Sequence, residues 1–220
     1  REYQNPKLVT KGDKPQSDVL DFLKYLKKEQ HIKLEGLRVL DLGCGTGRNS
    51  NYLASIGNKV IGYEISETAL RLAGERVKNS HSEVQYKKHD IGSLYPLENN
   101  SIDLILDITS SNSLSEEERS IYLKETARVL KTNGWFFVKA LCKDADTNAK
   151  HLIKMNPGKE KDTYILPEVG LTERVFSKQD FIDLYSPFFK IIQLIKKTNY
   201  TRMEGRNYKR NFWLAYLKKE

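Results

Sequence analysis

The run RVLDLGCGTGRNSNYLASIG, from Arg38 to Gly57, constrains the fold of this chain more than any other stretch. Val39, Leu40 and Leu42 form a short branched apolar segment of the kind buried on both faces of a parallel sheet, closed by Gly43, Gly45 and Gly47. An amphipathic segment follows at once. Glycines let the backbone turn sharply and approach a ligand, since a Cβ would clash or forbid a positive φ. The unpaired N–H groups of the next helix point into that turn. A polar ligand is therefore expected at the carboxyl end of this strand, where open α/β sheets bind their cofactors.

The spacing narrows the ligand. A dinucleotide turn needs a third glycine at position 48, which is Arg48 here, and a phosphate-binding loop needs a Gly-Lys-Ser/Thr ending that is absent. An acid, Asp41, stands two residues before the first glycine. A carboxylate there would repel a pyrophosphate and suit a ligand carrying an ammonium and a sulfonium.

These residues resemble motif I of the class I S-adenosylmethionine-dependent methyltransferases, and the likeness continues in order to Ala140. KVIGYEIS (Lys59 to Ser66) resembles the second strand, ending in Glu64, and VQYKKHDI (Val84 to Ile91) the third, ending in Asp90. SIDLILDITSSNSL resembles the fourth strand with its loop, and ARVLKTNGWFFVKA the helix, turn and fifth strand. The resemblance implies a Rossmann-like α/β fold: a seven-stranded, mostly parallel sheet with an antiparallel last strand and helices on both faces. It implies S-adenosyl-L-methionine as cofactor and S-adenosyl-L-homocysteine as product. It places Glu64 on the ribose hydroxyls and Asp90 on the adenine amino group. The full set of cofactor-binding positions it implies is Asp41, Gly43, Cys44, Gly45, Gly47, Asn49, Glu64, Ile65, Asp90, Ile91 and Asp107.

At 220 residues the chain is expected to form one methyltransferase domain over residues 1–220. Only Cys44 and Cys142 are present, which excludes a disulfide framework and points to a reducing cytoplasm. Cys44 reads as a small residue of the turn rather than a thiol nucleophile, with no histidine near it in sequence. No apolar run reaches the roughly 20 residues of a membrane span, so a soluble protein is expected, as monomer or homodimer. His31, His81, His89 and His151 are scattered, and no metal site is expected.

Residues 1–16 read as an irregular arm that is either disordered or, by the resemblance, folded over the cofactor, with Tyr3 and Lys11 then reaching its methionine end or the substrate. Ser17 is expected to cap a helix to about Gln30, Ser66 another to about Asn79, and Ser115 with Glu118 forms a capping box opening a helix through Leu130. Asn133-Gly134 then turns into the fifth strand. Residues 142–176 carry Pro157, Gly158, Pro167 and Gly170 and no long apolar repeat; a connection of this length is either a functional lid or disordered, and its root beside the cofactor turn makes it a substrate lid. Ser177 and Asp180 mark a further capped helix, and FFKIIQLIKK the sixth strand.

The net charge is +8, and eight of the basic residues lie between Lys196 and Lys219 against Glu204 alone. Interleaved Tyr200, Tyr208, Phe212 and Trp213 could stack bases above a gripped phosphate backbone. The alternation of RNFWLAYLKK fits a terminal strand instead, with Phe212, Leu214 and Tyr216 on one face and Trp213, Ala215 and Leu217 on the other.

Methyl transfer is an in-line displacement, so the protein chiefly aligns and desolvates, and a base is called for only where the accepting oxygen or nitrogen carries a proton to be removed. Asp107, at the end of the fourth strand, is the candidate catalytic residue; capping the following turn is its other role. His89, beside Asp90, is expected to pack. The loop DITSSNSL lacks the Asn/Asp-Pro-Pro-aromatic signature of amino-methylating nucleic-acid and protein-glutamine enzymes. PQSDVLDFL followed by DLGCGTGRNS is similar to tellurite-resistance-type and thiopurine-type small-molecule methyltransferases. A small-molecule acceptor is therefore expected. The alternatives are a tRNA or rRNA methyltransferase using the basic aromatic end, and a non-catalytic cofactor-binding partner subunit.

Overall fold

The structure is a computed structural model that describes residues 12–77, 83–166, 170–203 and 206–220, with side chains described outside 201–208. Tyr3, Lys11, His81 and Pro167, and the side chains of Arg202, Arg206 and Tyr208, lie outside that description.

Alternating apolar residues on the strands build two cores, one on each face of a sheet. The strands are β1 (Arg38–Leu42), β2 (Lys59–Glu64), β3 (Val84–Lys88), β4 (Ile102–Ile108), β5 (Leu130–Leu141), β8 (Lys190–Met203) and β9 (Arg206–Lys218), in the order β3-β2-β1-β4-β5-β9-β8. β1 to β5 are parallel, and β9 is antiparallel to both β5 and β8. The last strand of the chain is thus the reversed one, inserted between β5 and the edge strand β8.

Helices α1 (Ser17–Lys28) and α2 (Arg48–Ser55) cover one face. Val19, Phe22, Leu23, Leu26 and Leu53 pack there on Val39, Leu104, Leu106, Phe137, Leu214 and Tyr216. Leu40, Leu42, Ile105, Phe136, Val138, Trp213, Ala215 and Leu217 point the other way. They meet Tyr122 and Leu123 of α4 (Glu116–Val129) and Phe181 and Tyr185 of α6 (Lys178–Tyr185). The two faces of RNFWLAYLKK therefore divide as its alternation predicts. Period-two alternation also sets the polar strand ends. Asp41, two residues after Val39, faces α2, whereas Asp107, two after Ile105, faces α4.

The capping residues read from sequence are in place at three helices. Ser115 Oγ accepts from the Glu118 N–H while the Glu118 carboxylate accepts from the Ser115 N–H, Ser177 Oγ accepts from Asp180, and Ser66 Oγ accepts from Ala69 in α3 (Glu67–Val77). The fourth is corrected. Ser17 is already helical, Gln16 holds the N-cap position without a side-chain cap, and its own N–H donates to Asn49 Oδ1 at 2.9 Å. Asn49, in the first turn of α2, thus satisfies the N–H of the N-cap residue rather than capping the first turn of α1, and α1 ends at Lys28.

The described parts of the segment 142–176, residues 142–166 and 170–176, are folded. They contain α5 (Thr147–Met155), capped by Asp146, and a hairpin of β6 (Thr163–Leu166) and β7 (Leu171–Arg174). Ala149, Tyr164 and Val175 form a small core with Leu141, which period reading missed because its apolar residues come from three short elements. Residues 198–203 of β8 and 206–211 of β9 run past the end of β5 as a two-stranded ribbon, on the side where β1 to β5 end.

Candidate functional site

The turn after β1 is shaped by close approach. Gly43 has φ +65°, and a Cβ there would lie 2.1 Å from Ser110 Oγ; Gly47 has φ +78° and a Cβ would lie 2.1 Å from the Tyr86 hydroxyl. Gly43 thus lets the loop after β4 press on the turn, and Gly47, in the N-cap position of α2, lets Tyr86 from the middle of β3 do so. Cys44 is buried, its N–H donates to the Tyr63 carbonyl, and burial first, then Asp41 and Glu64, push its thiol pKa well up, so it is a packing residue. Gly45 donates its N–H to Glu64 at 3.1 Å.

Three carboxylates converge at this sheet edge. Asp41 is buried and accepts from Ser50 Oγ at 2.5 Å. Burial pushes its pKa up to about 6; the Ser50 bond opposes the shift, and Asp107 and Glu64 add to it by repulsion. Glu64 accepts from Gly45 and, through its other oxygen, from the Ser66 N–H at 2.9 Å, which fixes its carboxylate at the end of β2. No ion pair to Asp41 or Glu64 is seen among the described residues.

Asp107 is fully buried. Its Oδ1 accepts from the N–H groups of Ser110 and Ser111 at 2.9 and 3.3 Å, and its Oδ2 from the Tyr122 hydroxyl at 2.6 Å. This is the turn-capping arrangement, with the carboxylate facing α4. Burial raises its pKa, opposed by its hydrogen bonds.

Asp90 is exposed and forms an Asx turn with the Gly92 N–H at 2.8 Å, and Ile91 is buried behind it. His89 packs, with its ring 4.4 Å from that of Tyr63 and against Tyr95. Ile65, which follows the last residue of β2, and Leu94, four residues after Asp90, are 64% and 75% exposed. Large apolar side chains left that open suit contact with a flat apolar ring.

Several contributors had no local sequence signal. Thr109 sits at φ +66°, a strained conformation for a β-branched residue, with its N–H donated to the Lys139 carbonyl at 2.8 Å. Asn112 bridges the Thr109 carbonyl and the Leu141 N–H. Across the edge, Asp18 pairs with Lys139 at 2.5 Å and with Lys197. Burial alone would raise the Asp18 pKa; the two lysines outweigh it and hold it low. Asp13 meets Arg76 at 2.9 Å, and Arg76 also donates to Thr46 at 2.7 Å, so residues 13–16 run beside the glycine turn.

A methyltransferase-domain family model matches residues 40–138. An uncharacterized methyltransferase of Schizosaccharomyces pombe is 30% identical over 102 residues, which is 46% of this chain and 70% of the relative. The chain belongs to the class I S-adenosylmethionine-dependent methyltransferases. A ubiquinone biosynthesis O-methyltransferase of Bradyrhizobium diazoefficiens is 27% identical over 168 residues, covering 70% of this chain and 64% of that protein. In fold the chain is similar to a methyltransferase of Methanosarcina mazei and to TehB of Haemophilus influenzae. The first has a TM-score of 0.71 and 22% identity, with 87% of this chain and 95% of that one covered. The second has a TM-score of 0.71 and 20% identity, with 100% and 67% covered.

The cofactor is S-adenosylmethionine, and the edge fits it in chemistry: carboxylates with no cation paired to them among the described residues suit a cationic ligand, and the exposed apolar side chains of Ile65 and Leu94 suit an adenine. Among the described residues no helix is long and apolar enough to cross a membrane.

Proposed function

We propose that this methyltransferase modifies a small-molecule acceptor, in a site covered by residues 142–176. The observation that carries the reading is how that segment is fastened. Both oxygens of Glu160 accept from the Glu116 N–H at the start of α4, at 3.0 and 3.1 Å. On the other side the Tyr164 hydroxyl donates to Glu173 at 2.5 Å and accepts from Arg210 of the ribbon at 2.6 Å, and Asp146 accepts from the Asn211 N–H at 2.7 Å. Such a segment is a fixed wall, which favours an acceptor small enough to lie beneath it. Two cations of β8 and β9, Lys197 and Arg210, are also committed to internal partners and add little to a surface for RNA. The Bradyrhizobium relative, by its name an O-methyltransferase of ubiquinone biosynthesis, acts on such an acceptor.

In this reading Glu64 accepts from the ribose hydroxyls on the lone pairs its backbone partners leave open, and Asp90 accepts from the adenine amino group between Ile65 and Leu94. Ile91 backs the ring. Asp41, with the turn Gly43 to Gly47 and Asn49, faces the cationic end. The bound donor supplies an electrophilic methyl carbon. Asp107 is a positioning residue: it holds Ser110 and Ser111 against the turn and takes no proton from the acceptor.

The test is turnover, read as release of S-adenosylhomocysteine, with a panel of phenols, thiols and chalcogen oxyanions beside tRNA and rRNA transcripts. Turnover with a small molecule alone is expected. Turnover with RNA alone would overturn the reading.

A further inference from the structure

β4 runs out into a backbone conformation that its sequence does not favour. Thr109 has φ +66°, left-handed, which a β-branched residue resists because its side chain crowds the neighbouring carbonyl. Such strain persists only where surrounding contacts over-determine it. Here those contacts can be named. The register pairs Ile108 with Lys139, and the Thr109 N–H still donates to the Lys139 carbonyl at 2.8 Å, so the ladder between β4 and β5 holds to that point. In a regular parallel ladder the next rung would run from the Leu141 N–H to the Thr109 carbonyl.

Asn112 takes the place of that rung. Its Nδ2 donates to the Thr109 carbonyl at 3.2 Å, its Oδ1 accepts from the Leu141 N–H at 3.2 Å, and the residue is 1% exposed. A buried carboxamide, which carries both a donor and an acceptor, thus satisfies two backbone groups while the strands part. The chain turns at Thr109 and returns to the glycine turn. Ser110 Oγ donates to the Gly43 carbonyl at 3.3 Å, and the Ser110 N–H donates to Asp107 at 2.9 Å. A continuous line of contacts therefore joins Asn112 to the turn after β1, and it passes through one strained residue.

We propose that Asn112 is a positioning residue for the donor site: by holding Thr109 in its left-handed conformation it sets Ser110 on the Gly43 carbonyl, and so fixes the turn that receives S-adenosylmethionine. The inference concerns the donor alone and does not depend on which acceptor is methylated. Asn112 acts through Thr109 and Ser110. A glycine at position 109 would adopt the same backbone freely, so what the turn requires is the held conformation and not the strain itself.

The test reads the affinity of the full chain for S-adenosylhomocysteine by calorimetry, with the unaltered chain first, and its stability by denaturant midpoint. Asn112→Ala is expected to weaken binding at least five-fold. Thr109→Gly is expected to leave affinity within two-fold of the unaltered chain. In the Asn112→Ala background the same glycine is expected to recover at least three-fold of the loss, because it needs no amide to hold it. Ser110→Ala removes the hydroxyl on Gly43, keeps the Asn112 bridge, and is expected to weaken binding several-fold; it tests the last link even if Asn112→Ala does not fold. A residue that served the fold alone would lower the midpoint and leave the affinity of the folded chain unchanged. That result for Asn112→Ala, no recovery in the double variant, or full affinity in Ser110→Ala overturns the proposal.

Discussion

Two corners of the carboxyl edge of the sheet hold buried charge of opposite sign without a direct ion pair to it among the described residues. At the tips of β1 and β2, Asp41 and Glu64 are held by a hydroxyl and by backbone N–H groups, with no cation paired to either among the described residues. Behind the loop after β4, Arg119 is held by backbone carbonyls and an aromatic ring, with no carboxylate paired to it. The Asp18, Lys139 and Lys197 cluster shows the contrast, since there both signs are present and the contact ties α1 to β5 and β8. Buried charge that finds its partner inside the chain serves the fold. At the acidic corner, buried charge that does not is where a ligand completes the electrostatics.

The largest expected effect tests whether the acidic corner depends on the close approach of the two loops. In Gly43→Ala the new Cβ meets Ser110 and the positive φ is penalised, together about 2–4 kcal/mol of stability. Denaturant midpoints measure it. Pairing it with Ser110→Gly should recover the steric share and leave the backbone share. Next, Glu64→Ala removes charge-assisted bonds worth roughly 1.5–3 kcal/mol, so S-adenosylhomocysteine should bind about 10- to 150-fold more weakly by calorimetry. Arg174→Gln, which removes the second cation over the Phe176 ring that Arg119 shares, should leave that affinity unchanged, and a loss in both variants would merge the two corners into one.

Asp107 lies between the corners, and its substitution separates positioning from catalysis. Asp107→Asn should lower stability by about 1–3 kcal/mol, because the amide cannot accept at every position the carboxylate does, and cofactor affinity should fall along with turnover. Turnover lost at unchanged stability and affinity would make Asp107 a base.

The smallest effect is the pH dependence of Asp41. Its folded pKa of about 6 exceeds its unfolded value, so the protonated form is favoured by folding; its contribution to stability is present at low pH and lost as pH rises through about 6. A cationic ligand requires the carboxylate, so affinity for S-adenosylhomocysteine should weaken below pH 6, by up to about ten-fold per pH unit. Asp41→Asn should flatten that profile.

The parallel half was legible because its signals are local. A buried strand, three glycines and an acid at the end of each following strand carried the resemblance that implied the fold, and Ser66, Ser115 and Ser177 marked the starts of their helices. What escaped reading is joined across the sheet. Gln16 takes the place expected of Ser17 because Asn49, 33 positions on, accepts its N–H. The wall hid its core among residues of α5, β6 and β7 that meet only once Leu141 is laid beneath them. Arg119, one charge among many in EEERSIYLKE, is buried because the loop after β4 folds back over it, which no period in α4 reveals.

The central claim is that the donor lies across the tips of β1 to β4 with its adenosine gripped at the acidic corner. A crystal structure with S-adenosylhomocysteine tests it most directly. The account predicts the ribose hydroxyls within hydrogen-bond reach of Glu64 and the adenine between Ile65 and Leu94 with its amino group on Asp90. A nucleoside bound elsewhere, with Glu64 still closed on Gly45 and Ser66 alone, would contradict it.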